Sequence, residues 1–397
     1  MRLLDGVIVL DLTQAYSGPF CTMNLADHGA TVIKIERPPV GDQTRTWVPM
    51  KNGASAYYAL INRNKKSLSL DLRTEKGKDV FRKLVEKADV VCENFRPGTM
   101  EKLGLGYDDL RPLNPRLIYA SISGFGLTGP LSSRPAYDIV AQGMSGMMSI
   151  TGFPDSPPTK IGPSIGDSFT GAYLMQGVLM GLYNREKTGQ GHRLDVAMMD
   201  TLFSVLENAV VTYTVEGVIP GRVGNIDPAT APFDTFEASD GTFVLGAATD
   251  KMWQKLCNLM GKPELITDQR FLTTELRCKH YNPDMKELIE AWTTTKTIDE
   301  MEEILVEAGI PFGRVLNVAE ATEHPQTRAR NMIQEVESPG LGKARICGIP
   351  VKVRGVSDNI EKGAPALGEH NDEILQSLLG MTGQAIAELR ADGAIYV

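Results

Sequence analysis

Short runs of aliphatic and β-branched residues recur at 7–12, 31–36, 67–72, 89–93 and 117–123, each ending in polar or glycine-bearing turns. Runs of this length, carrying little polar alternation, predict strands buried on both faces. Apolar positions with helical spacing lead to His28, and a charged amphipathic pattern predicts a helix over 75–87. Strand and helix in alternation predict an α/β fold around a mostly parallel, doubly wound sheet. Ligands of such sheets lie outside the carboxyl ends of the strands. That rule nominates Tyr16, Ser17, Arg37, Asn94, Phe95 and Gly124.

The pattern changes further along. Residues 170–215 read as helical, interrupted by a turn at Gly189-Gln-Gly191, and the Gly/Pro-rich passage 217–232 reads as a linker. Runs at 233–237 and 242–246 predict a hairpin around Ser239-Asp-Gly241. Helices follow, one opening with the capping box Thr297-x-x-Glu300 and closing at Gly309 before Pro311. The stretch 225–325 is therefore expected to be a smaller α+β unit. The tail carries a strand-like segment at 348–353 and then helices.

Composition narrows the chemistry. The net charge of −8 gives no default attraction to nucleic acid, although residues 1–110 hold 16 Lys and Arg against 14 Asp and Glu. A small polyanion is the better partner for that first quarter. No run of about 20 apolar residues predicts a membrane span, and Asp5 and Asp11 interrupt any secretory leader pattern. Five scattered cysteines fit reduced thiols and a cytoplasmic setting, and five scattered histidines suggest no metal site. The first turn holds Gly18-Pro19 and lacks G-x-G-x-x-G, which disfavours a nicotinamide or flavin enzyme; no phosphate-binding Walker loop occurs either.

Asp167 is the most informative position. It sits in Gly-Pro-Ser-Ile-Gly-Asp-Ser-Phe-Thr-Gly at 162–171, at the mouth of an apolar helical stretch. One reading makes it a helix cap, accepting the orphan N–H groups of the first turn. The other makes it a nucleophile, its small neighbours leaving room for an acyl group. Local pattern leaves both open.

Several motifs occur in one order: Gly29-Ala-Thr-Val-Ile-Lys-Ile-Glu-Arg-Pro38, Asn64-Lys-Lys-Ser-Leu68, Glu93-Asn-Phe-Arg-Pro-Gly98, Ala136-Tyr-Asp138, Gln142, Gly166-Asp167, Gly191-His-Arg-Leu-Asp-Val-Ala-Met198, Gly309-Ile-Pro311 and Leu367-Gly-Glu-His370. In this the chain resembles the family III CoA-transferases over nearly its whole length. The resemblance implies a Rossmann-like large domain from 1–195 with 330–397, a small domain at 225–325, and connecting segments at 196–224 and 326–345. It further implies a homodimer of two interlocked chains. No permanently bound cofactor is implied; coenzyme A enters as acyl-CoA substrate beside a small carboxylic acid.

By the same resemblance Asp167 attacks the thioester, and Tyr16, Ser17, Arg37, Leu70, Arg73, Asn94, Phe95, Arg96 and Lys102 fall at CoA-contacting positions. Tyr137 and Asp138 flank the reacting centre. Some members carry Lys where this chain has Pro135, and Arg134 next door is the candidate to supply that charge. Arg45 is a candidate for a second substrate carboxylate, or a surface residue.

Three rivals are weighed. α-Methylacyl-CoA racemases share the fold but use a histidine where this chain has Tyr137, and a phenol ionising near ~10 is a poor base at neutral pH. The elbow G-x-S-x-G of serine acyl hydrolases is missing. A non-catalytic acyl-CoA-binding protein would have no use for Asp167.

Overall fold

The computed structural model describes residues 2–396. They divide into two compact units, one of residues up to Met147 with Lys160–Val210 and Pro325 onward, the other of Met148–Thr159 and Val211–His324.

In the first unit the apolar runs become β1 (Ile8–Asp11), β2 (Thr31–Glu36), β3 (Lys66–Ser69), β4 (Val90–Glu93) and β5 (Ile118–Ser123). A sixth strand, β6 (Arg193–Ala197), completes a parallel sheet in the order β3-β2-β1-β4-β5-β6. Both faces are covered, which is why β1 has no polar alternation. Val9 packs among Val32, Val90, Leu25 and Leu174 on one side, while Leu10 packs among Ile33, Leu68, Phe81 and Leu375 on the other. The helices that matter for the site are α1 (Ser17–Asp27), α2 (Ala56–Asn62), α3 (Glu75–Val85), α4 (Asp138–Met144), α5 (Ile165–Thr188) and α6 (Met198–Ser204).

Strand β6 corrects the expectation that the chain resumes as helix after the turn at Gly189-Gln-Gly191, a turn that is itself present. Helix α5 stops at Gly189, whose φ of +72° closes it in the left-handed region, and the chain enters the sheet four residues later. Strand β6 pairs with β5 alone, Tyr119 lying opposite Arg193, so it alternates exposed and partly buried positions and reads weakly beside the buried runs. The tail holds a second correction. Residues 348–353 form no strand; the hairpin lies earlier, at Ile333–Ser338 and Gly342–Cys347. Pro350 cannot donate to a ladder, whereas Gly340 and Gly342, both at positive φ, build the turn. The tail ends in helices Asn371–Leu379 and Gly383–Ala391, whose Ile374, Leu375, Ile386 and Leu389 close one face of the sheet.

The second unit carries a three-stranded antiparallel sheet, with Gly241–Gly246 central between Phe312–Arg314 and Phe233–Ala238. The expected hairpin and the Thr297/Glu300 capping box are both present. Its core is Phe236, Phe243, Trp253, Leu256, Met285 and Met301, with neighbours of the same kind. Among the described residues, no helix is long and apolar enough to cross a membrane, and no group of three or more His, Cys, Asp or Glu side chains is placed to hold a metal ion.

Candidate active site

The loop leaving β1 is held from below and from the side. Buried Asp11 accepts from the Thr13 N–H at 2.9 Å, the Thr22 hydroxyl at 2.8 Å and the Lys65 ammonium at 2.9 Å. Burial would raise this carboxyl, but the positive charges of Lys65 and Lys34 outweigh it and hold Asp11 at about 2. Asn94, just past β4, bonds both ends of one peptide unit: its Oδ1 accepts from the Gln14 N–H at 2.8 Å and its Nδ2 donates to the Gln14 carbonyl at 2.8 Å. Ala15 is forced to a φ of +64°, an uncommon conformation for a residue with a side chain. A Cβ on Gly18 would lie 2.3 Å from the Thr13 Cβ, so only glycine lets the chain turn here into α1. The turn delivers Tyr16 and Ser17 to the carboxyl edge of the sheet.

Helix α5 arrives beside them. A Cβ on Gly171 would sit 2.5 Å from the Ser17 carbonyl oxygen, so its absence permits the close approach to α1. Ser164 is the N-cap residue but makes no side-chain cap bond. The cap comes from another helix: Asp138, opening α4, accepts the Gly166 N–H through Oδ1 at 2.8 Å. Gly166 again has no room for a side chain, since a Cβ would lie 2.9 Å from that oxygen. Asp167, the third residue of α5, is thus not the N-cap that one sequence reading made it. The Ser17 hydroxyl lies close enough to its carboxylate to favour the ionised form. Burial, and then the negative charge of Asp138, push Asp167 up to about 7 despite that hydroxyl. The Ile165 and Gly166 N–H groups are already bonded, to the Pro163 carbonyl and to Asp138, and do not serve as oxyanion donors.

Asp167 opens into a cavity of about 610 Å³ lined also by Tyr16, Ser17, Asn94, Phe95, Arg96, Arg134, Tyr137 and Asp138. A second cavity, of about 550 Å³, is lined by Arg37, Leu70, Arg73 and Lys102. Gln14, Gln43 and Phe95 line both, so the two form one trench along the carboxyl edge of the sheet. Every nominated site residue except Arg45 lines one part or the other, with the cations Arg37, Arg73 and Lys102 at the end away from Asp167. Arg73 is partly neutralised by Asp71, its Nη2 lying 2.5 Å from Oδ2.

Other cavity residues escaped the sequence reading. Gln43 comes from the turn after β2, Tyr57 from the first turn of α2, Lys160 and Ser164 precede α5, and Met198 opens α6. Tyr57 packs against Tyr16 and Trp47, with ring centroids 6.0 and 5.4 Å apart. Burial first, and nearby Tyr16 and Asp167, push the Tyr57 phenol up to about 12, so it stays protonated and able to donate.

Arg45, considered as a contact for substrate carboxylate, is occupied elsewhere. Its Nε and Nη2 grip Glu36 at 2.8 and 2.7 Å, Nη2 also donates to the Tyr58 hydroxyl at 2.6 Å, and the guanidinium lies 4.0 Å over the Tyr58 ring. The pair belongs to a charge network beneath the trench, in which buried Lys34 bonds the Thr13 carbonyl at 2.9 Å and meets Asp42 at 2.8 Å. Asp42 in turn caps the short turn Gln43–Thr46 through the Thr44 N–H, at 2.9 Å. One ammonium therefore braces two walls of the cavity, the Gln14–Ser17 loop and the Gln43–Trp47 turn.

A half-buried acid with a raised pKa, hydroxyls beside it and a long trench ending in cations suits nucleophilic attack on a substrate with an anionic tail. Residues 4–371 match the model of CoA-transferase family III. The acetyl-CoA:oxalate CoA-transferase of Acetobacter aceti is 44% identical over 92% of this chain and 93% of its own. The succinyl-CoA–D-citramalate CoA-transferase of Chloroflexus aurantiacus is 40% identical over 99% and 98%. The crystal structure of a CAIB/BAIF family protein from Brucella suis superposes with a TM-score of 0.82 at 38% identity, covering 95% of this chain and 99% of that one.

Proposed function

This chain belongs to CoA-transferase family III, and from that premise we propose that it moves CoA from an acyl-CoA donor to a small carboxylic acid with Asp167 as the nucleophile. The observation that carries the proposal is the Asp167 carboxylate, free of helix capping and facing a cavity continuous with a cation-lined trench.

An Asp167 oxygen attacks the thioester carbonyl carbon, the C–S bond breaks, and CoA thiolate departs from a mixed anhydride. The thiolate then attacks the aspartyl carbonyl, the anhydride C–O bond breaks, and the donor acid leaves as its carboxylate. The enzyme is left as an aspartyl–CoA thioester. The acceptor carboxylate attacks that thioester and releases the thiolate, which takes the acyl group from the new anhydride and restores Asp167. No proton is gained or lost overall. Anhydride and thioester are similarly activated, so each step is nearly level and one difficult exchange becomes several easy ones.

The strand order, which numbered along the sheet is 3-2-1-4-5-6, supports a Rossmann-like reading with CoA across the carboxyl edge. In this reading Arg37, Arg73 and Lys102 meet the phosphates, Leu70 borders the adenine end, and Tyr16, Ser17, Asn94, Phe95 and Arg96 follow the pantetheine arm. Arg134, Tyr137 and Asp138 frame the acyl end. Both relatives named above act on dicarboxylates by name, which supports a short dicarboxylic acid as one partner here. The racemase reading loses to the phenol at Tyr137. Exposed Tyr173, Met180 and Tyr183 recur along α5, with Ile139 and Phe203 also exposed, and this supports the interlocked homodimer. A cytoplasmic setting fits the unpaired cysteines.

The test is chemical trapping. Incubation with acyl-CoA followed by hydroxylamine should leave a hydroxamate on Asp167, read by peptide mass spectrometry. A label on any other residue would move the nucleophile elsewhere.

A pH dependence follows from the same acid. The nucleophile is the ionised form and its carboxyl stands at about 7 in the free enzyme, so kcat/KM should rise tenfold per pH unit below about 7 and level off above it. Glu93 is also raised to about 7 by burial, at the end of β4. Glu93→Gln should keep the same limb; its disappearance in that variant would assign the ionisation to Glu93.

A further inference from the structure

Asp167 reaches its position because something else caps its helix, and that cap is itself held by a residue outside the cavity. Asp138 spends one oxygen on the Gly166 N–H; the other, Oδ2, accepts from Gln142 Nε2 at 2.7 Å. The two groups lie one helical turn apart on α4, where side chains at i and i+4 meet. Gln142 Oε1 accepts in turn from the Ile161 N–H at 2.9 Å. The carboxylate can only accept and the N–H can only donate, so these partners leave one orientation for the amide. Gln142 has no exposed surface and does not line the cavity around Asp167.

We propose that Gln142 is a positioning residue for the transfer reaction: one buried amide ties the segment entering α5 to the carboxylate that caps it, leaving Asp167 free to face the substrate. This rests on the reading of Asp167 as nucleophile. The physical argument is competition. A carboxylate in the first turn of a helix is drawn toward unsatisfied N–H groups there. Asp138 satisfies the Gly166 N–H from outside, and Gln142 satisfies the Ile161 N–H, so neither competes for Asp167. Without Gln142, Asp138 Oδ2 and the Ile161 N–H would both be left without this partner, and the entry to α5 would lose its anchor at both points.

Gln142→Leu removes both bonds at similar volume. The expected result is a kcat about 10- to 100-fold lower, as for a nucleophile displaced by a fraction of an ångström, with KM for the acyl-CoA within about threefold. Circular dichroism should be that of the wild type. Gln142→Glu provides a readout that a merely structural role would not move. While the introduced acid keeps its proton it can donate to Asp138 and accept from Ile161; once ionised it repels Asp138. Around this pair the cavity presents Asp167, Tyr16, Tyr57, Tyr137, Arg96, Arg134 and Lys160 as the other titratable groups. The ratio of variant to wild-type kcat should therefore be highest at acid pH and fall as pH rises. Wild-type kcat in Gln142→Leu, or a ratio flat with pH in Gln142→Glu, would overturn the proposal. Neither outcome touches the nucleophile, whose own failure would appear as transfer by an Asp167 variant.

Discussion

Asp167→Ala should lose transfer by about 10⁴-fold or more while still binding acyl-CoA, because among the described residues the only other carboxylate lining the cavity is Asp138. Asp138, the nearest acid, has both oxygens engaged, on the Gly166 N–H and on Gln142. The cation-lined end of the trench, with Arg37, Arg73 and Lys102, is untouched by the change, so calorimetric affinity for CoA should stay within about threefold if most binding comes from that end. Stability supplies an internal control. A carboxyl whose pKa is raised by the fold favours its protonated form, so its contribution is present at acid pH and is lost as pH rises from the ordinary 3.8 through about 7. At pH 8 the ionised group is a burden on the folded state, and its removal should raise the thermal midpoint or leave it unchanged. An inactive variant with a lowered midpoint would indicate damage to the fold; an active variant would remove Asp167 from the mechanism.

Lys34→Met should be the most destabilising single change in the network beneath the trench. The ammonium has no exposed surface, and although burial disfavours its charge, Asp42, Asp11 and Glu36 outweigh that and raise its pKa. Removing it leaves Asp42 buried opposite a methyl group and takes from the Thr13 carbonyl its bond to the ammonium. Breaking a buried ion pair from one side costs about 3–5 kcal/mol, since the remaining charge stays out of water without compensation. Urea denaturation at neutral pH should show a loss of that order. Because the same ammonium braces the Gln14–Ser17 loop and the turn carrying Trp47, KM for the acyl-CoA should rise as well. An unchanged midpoint would mean that water or a neighbouring cation replaces Lys34, and the bracing role would fall.

Several features of this site were legible along the chain. The buried runs at β1, β2, β4 and β5 marked a parallel sheet, and the rule for such sheets pointed to Tyr16, Ser17, Arg37, Asn94 and Phe95, all of which line the trench. Strand β6 was missed because an edge strand pairs on one side and keeps polar positions, which at five residues resembles loop or helix end. The misreading of Asp167 as a possible cap had a different origin. Local pattern marks a helix start and an acid near it, but not which carboxylate reaches the N–H groups. Asp138 lies 28 residues from the Gly166 amide it caps, and Gln142 lies 19 from Ile161.

Arg45 shows the same division. Its sequence setting suited a substrate contact, and only the folded chain brings Glu36, Tyr58 and the Pro365 carbonyl around it. What the amino-acid order determined alone is whatever depends on neighbours within a turn or two: which runs are buried on both faces, where glycine must bend the chain, and that an acid heads the long helix. The tertiary structure decided which charges pair, which N–H each carboxylate takes, and hence which acid is left to react. The reason is that hydrogen bonds and desolvation act over a few ångströms of space, and those distances are set only once segments far apart in the chain have closed on one another.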